Sequence, residues 1–140
     1  MSSYIAYIDG GARGNPGPAG WGACIQSEDG TTVAELYGAI GSATNNVAEY
    51  NGLLSALGWC VEHEAARLHV RSDSLLLVQQ MLGKYKVKNE GLKPLHGRAR
   101  LLAARIGRVS YEHVPREQNK DADRLANLAM DEAAEQRVKG

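Results

Sequence analysis

The sequence is short of cysteine. Cys24 and Cys60 are the only two in 140 residues, and no CxxC spacing occurs. That argues against a disulfide framework or a zinc site and makes a reducing cytoplasm the default compartment. No apolar run approaches the ~20 residues that cross a bilayer, and no basic-then-apolar leader opens the chain, so no membrane association is expected. Net charge is also missing: 16 Lys and Arg stand against 16 Asp and Glu. Nucleotide loops fail on spacing. No G-x-G-x-x-G follows a candidate strand, and Gly83-Lys84 is followed by Tyr85 rather than by the Ser or Thr of a phosphate loop. The G-x-S-x-G nucleophile elbow is absent as well.

What is present reads as one globular domain over residues 1–140, with 44% hydrophobic residues to build a core. Charge neutrality hides an asymmetry. Residues 84–108 carry Lys84, Lys86, Lys88, Lys93, Arg98, Arg100, Arg105 and Arg108 against Glu90 alone, a local +7 balanced by −7 elsewhere. Such a segment is either a solvated face or a surface for a polyanion.

Strand-forming runs cover residues 4–9, 19–27 and 32–40, the last two split by an Asp29-Gly30 hairpin signal. Helical spacing of Val47, Tyr50, Leu54, Leu57 and Val61 predicts a helix over 47–63, capped by Thr44 or Asn45. A fourth strand (67–73), a short helix ended by Gly83, a basic loop, a helix (92–106), a fifth strand and a last helix (122–136) follow, with a frayed tail. Three strands joined by hairpins and two added through helical crossovers give an α/β fold. It has a mixed five-stranded sheet, three strands antiparallel and two parallel, with helices on both faces.

Four acids occupy unusual places in this plan. Asp9 and Asp73 end apolar strands, Glu49 lies early in the first long helix, and Asp123 lies at the start of the last. Each alone has an ordinary explanation as a turn, surface or helix-start residue. Together they suit the edge beyond the carboxyl ends of parallel strands, where ligands of open α/β sheets bind. Two carboxylates ~4 Å apart repel by about 4 kcal/mol at an effective dielectric of 20. A cluster of four therefore needs protons or cations. All-oxygen donors favour Mg²⁺ or Mn²⁺ over zinc, and two such ions can clamp the attacking and leaving oxygens of a phosphodiester.

Four blocks, "YIDGGARGNPGPAGWGA" (7–23), "TNNVAEYNGLLSAL" (44–57), "VRSDSLLLVQQM" (70–81) and "QNKDADRLANLA" (118–129), resemble the motifs of type 1 ribonuclease H, in order and across nearly the whole chain. The resemblance implies a ribonuclease H-like three-layer fold. It implies an endonuclease that hydrolyses the RNA strand of RNA–DNA hybrids with two Mg²⁺ or Mn²⁺ ions, leaving 5′-phosphate and 3′-hydroxyl ends. One ion would activate water and the other would steady the departing 3′-oxygen.

By that likeness Asp9, Glu49, Asp73 and Asp123 bind metal. The glycine-rich loop 10–17, with Gly10, Gly11 and Asn15, meets the RNA strand, and glycine there lets a sugar edge come close. Thr44 and Asn89 match phosphate-binding positions, Asn45 and Asn46 match minor-groove residues, and Ser74 and Lys88 join the substrate contacts. Thr44 or Asn45 could equally serve as a helix cap.

Three features depart from many relatives: the basic insertion is short, a tryptophan is missing near Lys84-Tyr85, and the loop before Asp123 lacks its usual histidine. Arg116 is the favoured replacement for that histidine, with His113 the other choice. The expected partner is an RNA–DNA hybrid or double-stranded RNA, and the expected state a monomer. A catalytically silent nucleic-acid-binding module and a nuclease acting mainly on double-stranded RNA are the rival readings.

Overall fold

The computed structural model describes residues 2–139. Three strands come first: β1 (Ser3–Ala12), β2 (Gly17–Ser27) and β3 (Thr32–Ala43). There follow α1 (Asn45–Glu62), β4 (Arg67–Ser72), α2 (Leu75–Met81), α3 (Lys93–Ile106), β5 (Val109–His113), a 3-10 turn (Arg116–Gln118) and α4 (Lys120–Lys139). The strands form one sheet in the order β3-β2-β1-β4-β5. β1–β2 and β2–β3 are antiparallel, while β1–β4 and β4–β5 are parallel. This is the mixed sheet that the hairpins and crossovers predict.

Register sets up the site. Ile8 faces Ser72 in the last parallel pair of β1 and β4. The residue after each is an aspartate, Asp9 within β1 and Asp73 just past β4. On one face of the sheet α1 covers β1 and β2, and α3 packs on α1. Tyr50, Leu53 and Leu57 of α1 close over Ile8, Ile25, Leu68 and Val70, all at most 1% exposed. Each such side chain contributes roughly 1.5–3 kcal/mol through burial. On the other face α4 lies across β1, β2 and β3, through Ala122, Leu125, Ala126 and Ala129.

Half of the expected glycine-rich loop 10–17 is strand. β1 runs on to Ala12 and β2 begins at Gly17, leaving residues 13–16 as the turn. Gly10 and Gly20 serve the helices. A Cβ on Gly10 would lie 2.3 Å from the Ala48 carbonyl carbon, and one on Gly20 would lie 2.5 Å from the Ala129 Cβ. Helix backbones thus touch strand backbone on both faces of the sheet, a contact that no other residue permits.

α4 begins two residues earlier than predicted and continues through Lys139, in place of a frayed tail after 136. Good helix formers (Glu135, Gln136, Arg137) carry it onward. Beyond the reach of α4, the outer face of β4 and β5 is polar and internally paired. His69 bridges Ser110 Oγ (2.6 Å) and Glu112 Oε1 (2.7 Å), and Arg71 donates to Glu112 (3.1 Å) and to the Tyr7 hydroxyl (2.6 Å). No helix among the described residues is long and apolar enough to cross a membrane.

Candidate active site

β1 places Asp9 three residues before its end at Ala12, 8% exposed. The amide of Gly10 donates to its Oδ1 at 2.9 Å. Glu49 comes from the second turn of α1. That helix is fixed at its start by Thr44, whose Oγ1 accepts from the Val47 amide (3.3 Å). The turn after β1 is tied to the same helix end in both directions: Ala12 N donates to Asn45 Oδ1 (2.8 Å), and Asn45 N donates to Asn15 Oδ1 (3.0 Å).

Asp73 follows β4 directly. Ser72, fully buried, accepts from the Ser74 amide (3.0 Å), and Ser74 caps α2 by accepting from Leu77 N (3.3 Å). Just past β5, Val114 N braces the same edge by donating to Ser72 O (2.9 Å).

Asp9, Glu49 and Asp73 offer ligand oxygens that all lie within 4.8 Å of one another. Asp123, from the first turn of α4, lies close enough to Asp9 to help hold its carboxyl up. The four acids line one cavity of ≈ 620 Å³ together with Gly10, Gly11, Asn45, His113, Arg116, Asn127 and Met130.

Crowding and burial alter the acids. Burial, then the charge of Asp73, pushes the Asp9 carboxyl up to about 7, against the pull of the Gly10 amide; Asp123 adds to the rise. Glu49 is raised well above the ordinary carboxylate range by burial first, and then by Asp9 and Asp73, while Arg116 opposes the shift. Glu49 Oε2 is buried with no hydrogen-bond partner. An orphaned carboxylate oxygen among oxygen-only donors fits a hard divalent cation, the neutralising partner such a cluster needs.

Only some of the residues expected at the site reach the cavity. Gly10, Gly11 and Asn45 line it together with the acids and Arg116. Thr44 and Ser74 are engaged as caps, and Asn15 Oδ1 holds the start of α1. Asn46 and Lys88 are exposed away from the lining, and Asn89 Oδ1 accepts from Gly91 N (2.8 Å) at the entry to α3. His113 reaches the wall as Arg116 does, its Nε2 3.3 Å from the Asp73 carbonyl.

Sequence reading missed Asn127 and Met130, although with Asp123 they form an i, i+4, i+7 stripe on α4. Asn127 Nδ2 donates to the Asp123 carbonyl (2.9 Å). It also missed Asn119, which is fully buried.

A family model described as "Reverse transcriptase-like" matches residues 7–129. The N-terminal RNase H domain of rv2228c from Mycobacterium tuberculosis is 48% identical with TM-score 0.95, over 98% of this chain and 99% of that one. RNase H1 of Halobacterium salinarum is 42% identical with TM-score 0.89, over 93% and 98%. This chain belongs to the ribonuclease H family. Another ribonuclease H relative, LC11-RNase H1, was solved in complex with an RNA/DNA hybrid; it is 43% identical with TM-score 0.88, over 94% and 99%. Among curated relatives, the bifunctional protein Rv2228c of M. tuberculosis is 53% identical over 94% of this chain, and the chain spans only 36% of its length.

Proposed function

We propose that this domain is a divalent-metal-dependent endonuclease that hydrolyses the RNA strand of RNA–DNA hybrids, leaving 5′-phosphate and 3′-hydroxyl ends. The observation that carries the reading is the convergence of Asp9, Glu49 and Asp73, from three separate elements, to within 4.8 Å at the sheet edge. A relative named ribonuclease HI and a relative solved with hybrid support the substrate class.

In this reading Asp9, Glu49, Asp73 and Asp123 hold Mg²⁺ or Mn²⁺. When bound, two such ions supply Lewis acidity to the attacking water and the leaving 3′-oxygen. Arg116 is the one permanently charged cation among the described lining residues and draws the product phosphate away. Gly11 and Asn45 face the ribose edge, where the 2′-hydroxyl separates RNA from DNA. Thr44, Asn15, Asn46, Ser74, Lys88 and Asn89 extend the contact toward phosphates and sugars. Most contacts avoid base edges, so cleavage has little sequence preference.

The test is incubation with Mg²⁺ or Mn²⁺ and end-labelled hybrid, RNA duplex and DNA duplex in parallel. Shortening of the RNA strand in hybrid alone is the expected outcome. A mobility shift without shortening would leave a binding module, and equal cutting of RNA duplex would assign a different substrate.

A further inference from the structure

We propose that Asn119 is a positioning residue that sets the Asp123-bearing helix against the Asp9-bearing strand; this rests on the metal-dependent reading above. The side chain of Asn119 is 0% exposed. Its Nδ2 donates to the carbonyl of Ile8 at 2.9 Å, across 111 residues of sequence. Ile8 is the residue before Asp9. The main chain of Asn119 holds two more parts of the site: its carbonyl accepts from the Asp123 amide (3.0 Å), and its amide donates to the Arg116 carbonyl (2.9 Å). One buried residue therefore joins the strand carrying Asp9, the helix carrying Asp123 and the turn carrying Arg116.

The orientation of the carboxamide has a cost. Asn119 directly precedes α4, where an asparagine oxygen ordinarily accepts from the first helical amides. Here the nitrogen must face the Ile8 carbonyl, and Oδ1 is buried without a hydrogen bond in the chain. The fold forgoes a cap to keep the bond to β1.

Packing explains why a directional bond is needed there. α4 meets the sheet through alanines and Leu125 over Gly20 and Gly22, a smooth contact that resists separation better than sliding along the helix axis. Two ion pairs of α4, Arg124 to Glu35 and Asp131 to Arg13, are at least 44% exposed on every partner and are weakened by solvent screening.

The test uses the full chain and three measurements: equilibrium Mn²⁺ binding by calorimetry, kcat and KM on hybrid, and thermal melting. Asn119→Ser restores a cap but cannot reach Ile8. It is expected to weaken Mn²⁺ binding and lower kcat each by about 10- to 100-fold, the range for residues that orient metal ligands, with KM within about threefold and the protein folded. Asp131→Ala, which removes an exposed tie, is expected to change neither. If Asn119→Ser only lowers Tm while Mn²⁺ affinity and kcat stay at wild-type values, the residue is structural and the proposal falls. If Asn119→Ser does not fold, Asn119→Thr takes its place, and failure of both to fold also overturns it. Weakened Mn²⁺ binding in a protein whose wild type leaves hybrid intact would uphold the positioning role and reject the nuclease reading.

Discussion

Asp9 combines burial with three acidic neighbours, and its carboxyl is held up at about 7, mainly by burial and then by the charge of Asp73. In the unfolded chain the same group titrates near 3.8. Between those values the folded state holds more protons than the unfolded one, so the stability that Asp9 lends is complete below about pH 4 and is lost as pH rises through about 7. In EDTA, Tm should therefore be higher at about pH 5.5 than at about pH 8. Asp9→Asn should flatten that slope, raise the metal-free Tm at about pH 8 by on the order of 5 °C, and cut hydrolysis by more than the ~10²-fold typical of a supporting residue. A metal-free melt that falls on this substitution would argue against a crowded acidic site. Divalent metal should reverse the penalty: at a hundredfold excess over Kd, Mg²⁺ or Mn²⁺ should add about 2.7 kcal/mol to wild-type stability, measured by melting with and without metal.

Helices and strands meet at backbone distance around the site. Asp9, Glu49 and Asp123 stand on elements held together by that contact. A methyl at position 10 would press on the α1 backbone at 2.3 Å, so Gly10→Ala should cost about 3 kcal/mol and reduce activity by displacing the helix that carries Glu49. Gly58, in the same helix, has open space around it. Gly58→Ala should raise stability by roughly 0.5–1 kcal/mol. Paired melts of the two variants separate steric pressure from helix propensity. The glycines of "YIDGGARGNPGPAGWGA" were legible as unusual, and the reason for Gly10, Gly20 and Gly22 was not. Their partners, Ala48, Ala122 and Ala129, lie tens of residues away, so no local pattern reveals them.

Over the whole molecule, neutrality conceals a divided surface. Lys84, Lys86 and Lys88 lie on the basic segment after α2, and none has an acidic partner among the described ion pairs. If they lie along the phosphates of a hybrid, replacing all three with alanine should weaken hybrid binding and flatten its salt dependence by about 0.9 in log–log slope per lost contact, while kcat holds. An unchanged salt slope would make them a solvated face. The outer face of β4 and β5, beyond α4, is by contrast a closed hydrogen-bonded network through Glu112, suited to water rather than to a covering helix.

Sequence alone determined the order of strands and helices, the mixed sheet, the family motifs and the four acids as a set. Each of these rests on local signals: apolar strand runs leading into an aspartate, a capped helix with apolar spacing, a hairpin turn. Tertiary structure decided how those signals meet. The register of Ile8 on Ser72 brings Asp9 beside Asp73, the bare glycines let two helices close to backbone contact, and Asn119 joins residues 111 positions apart. Such relations are distances across the fold, and a distance between remote segments has no imprint on either segment by itself.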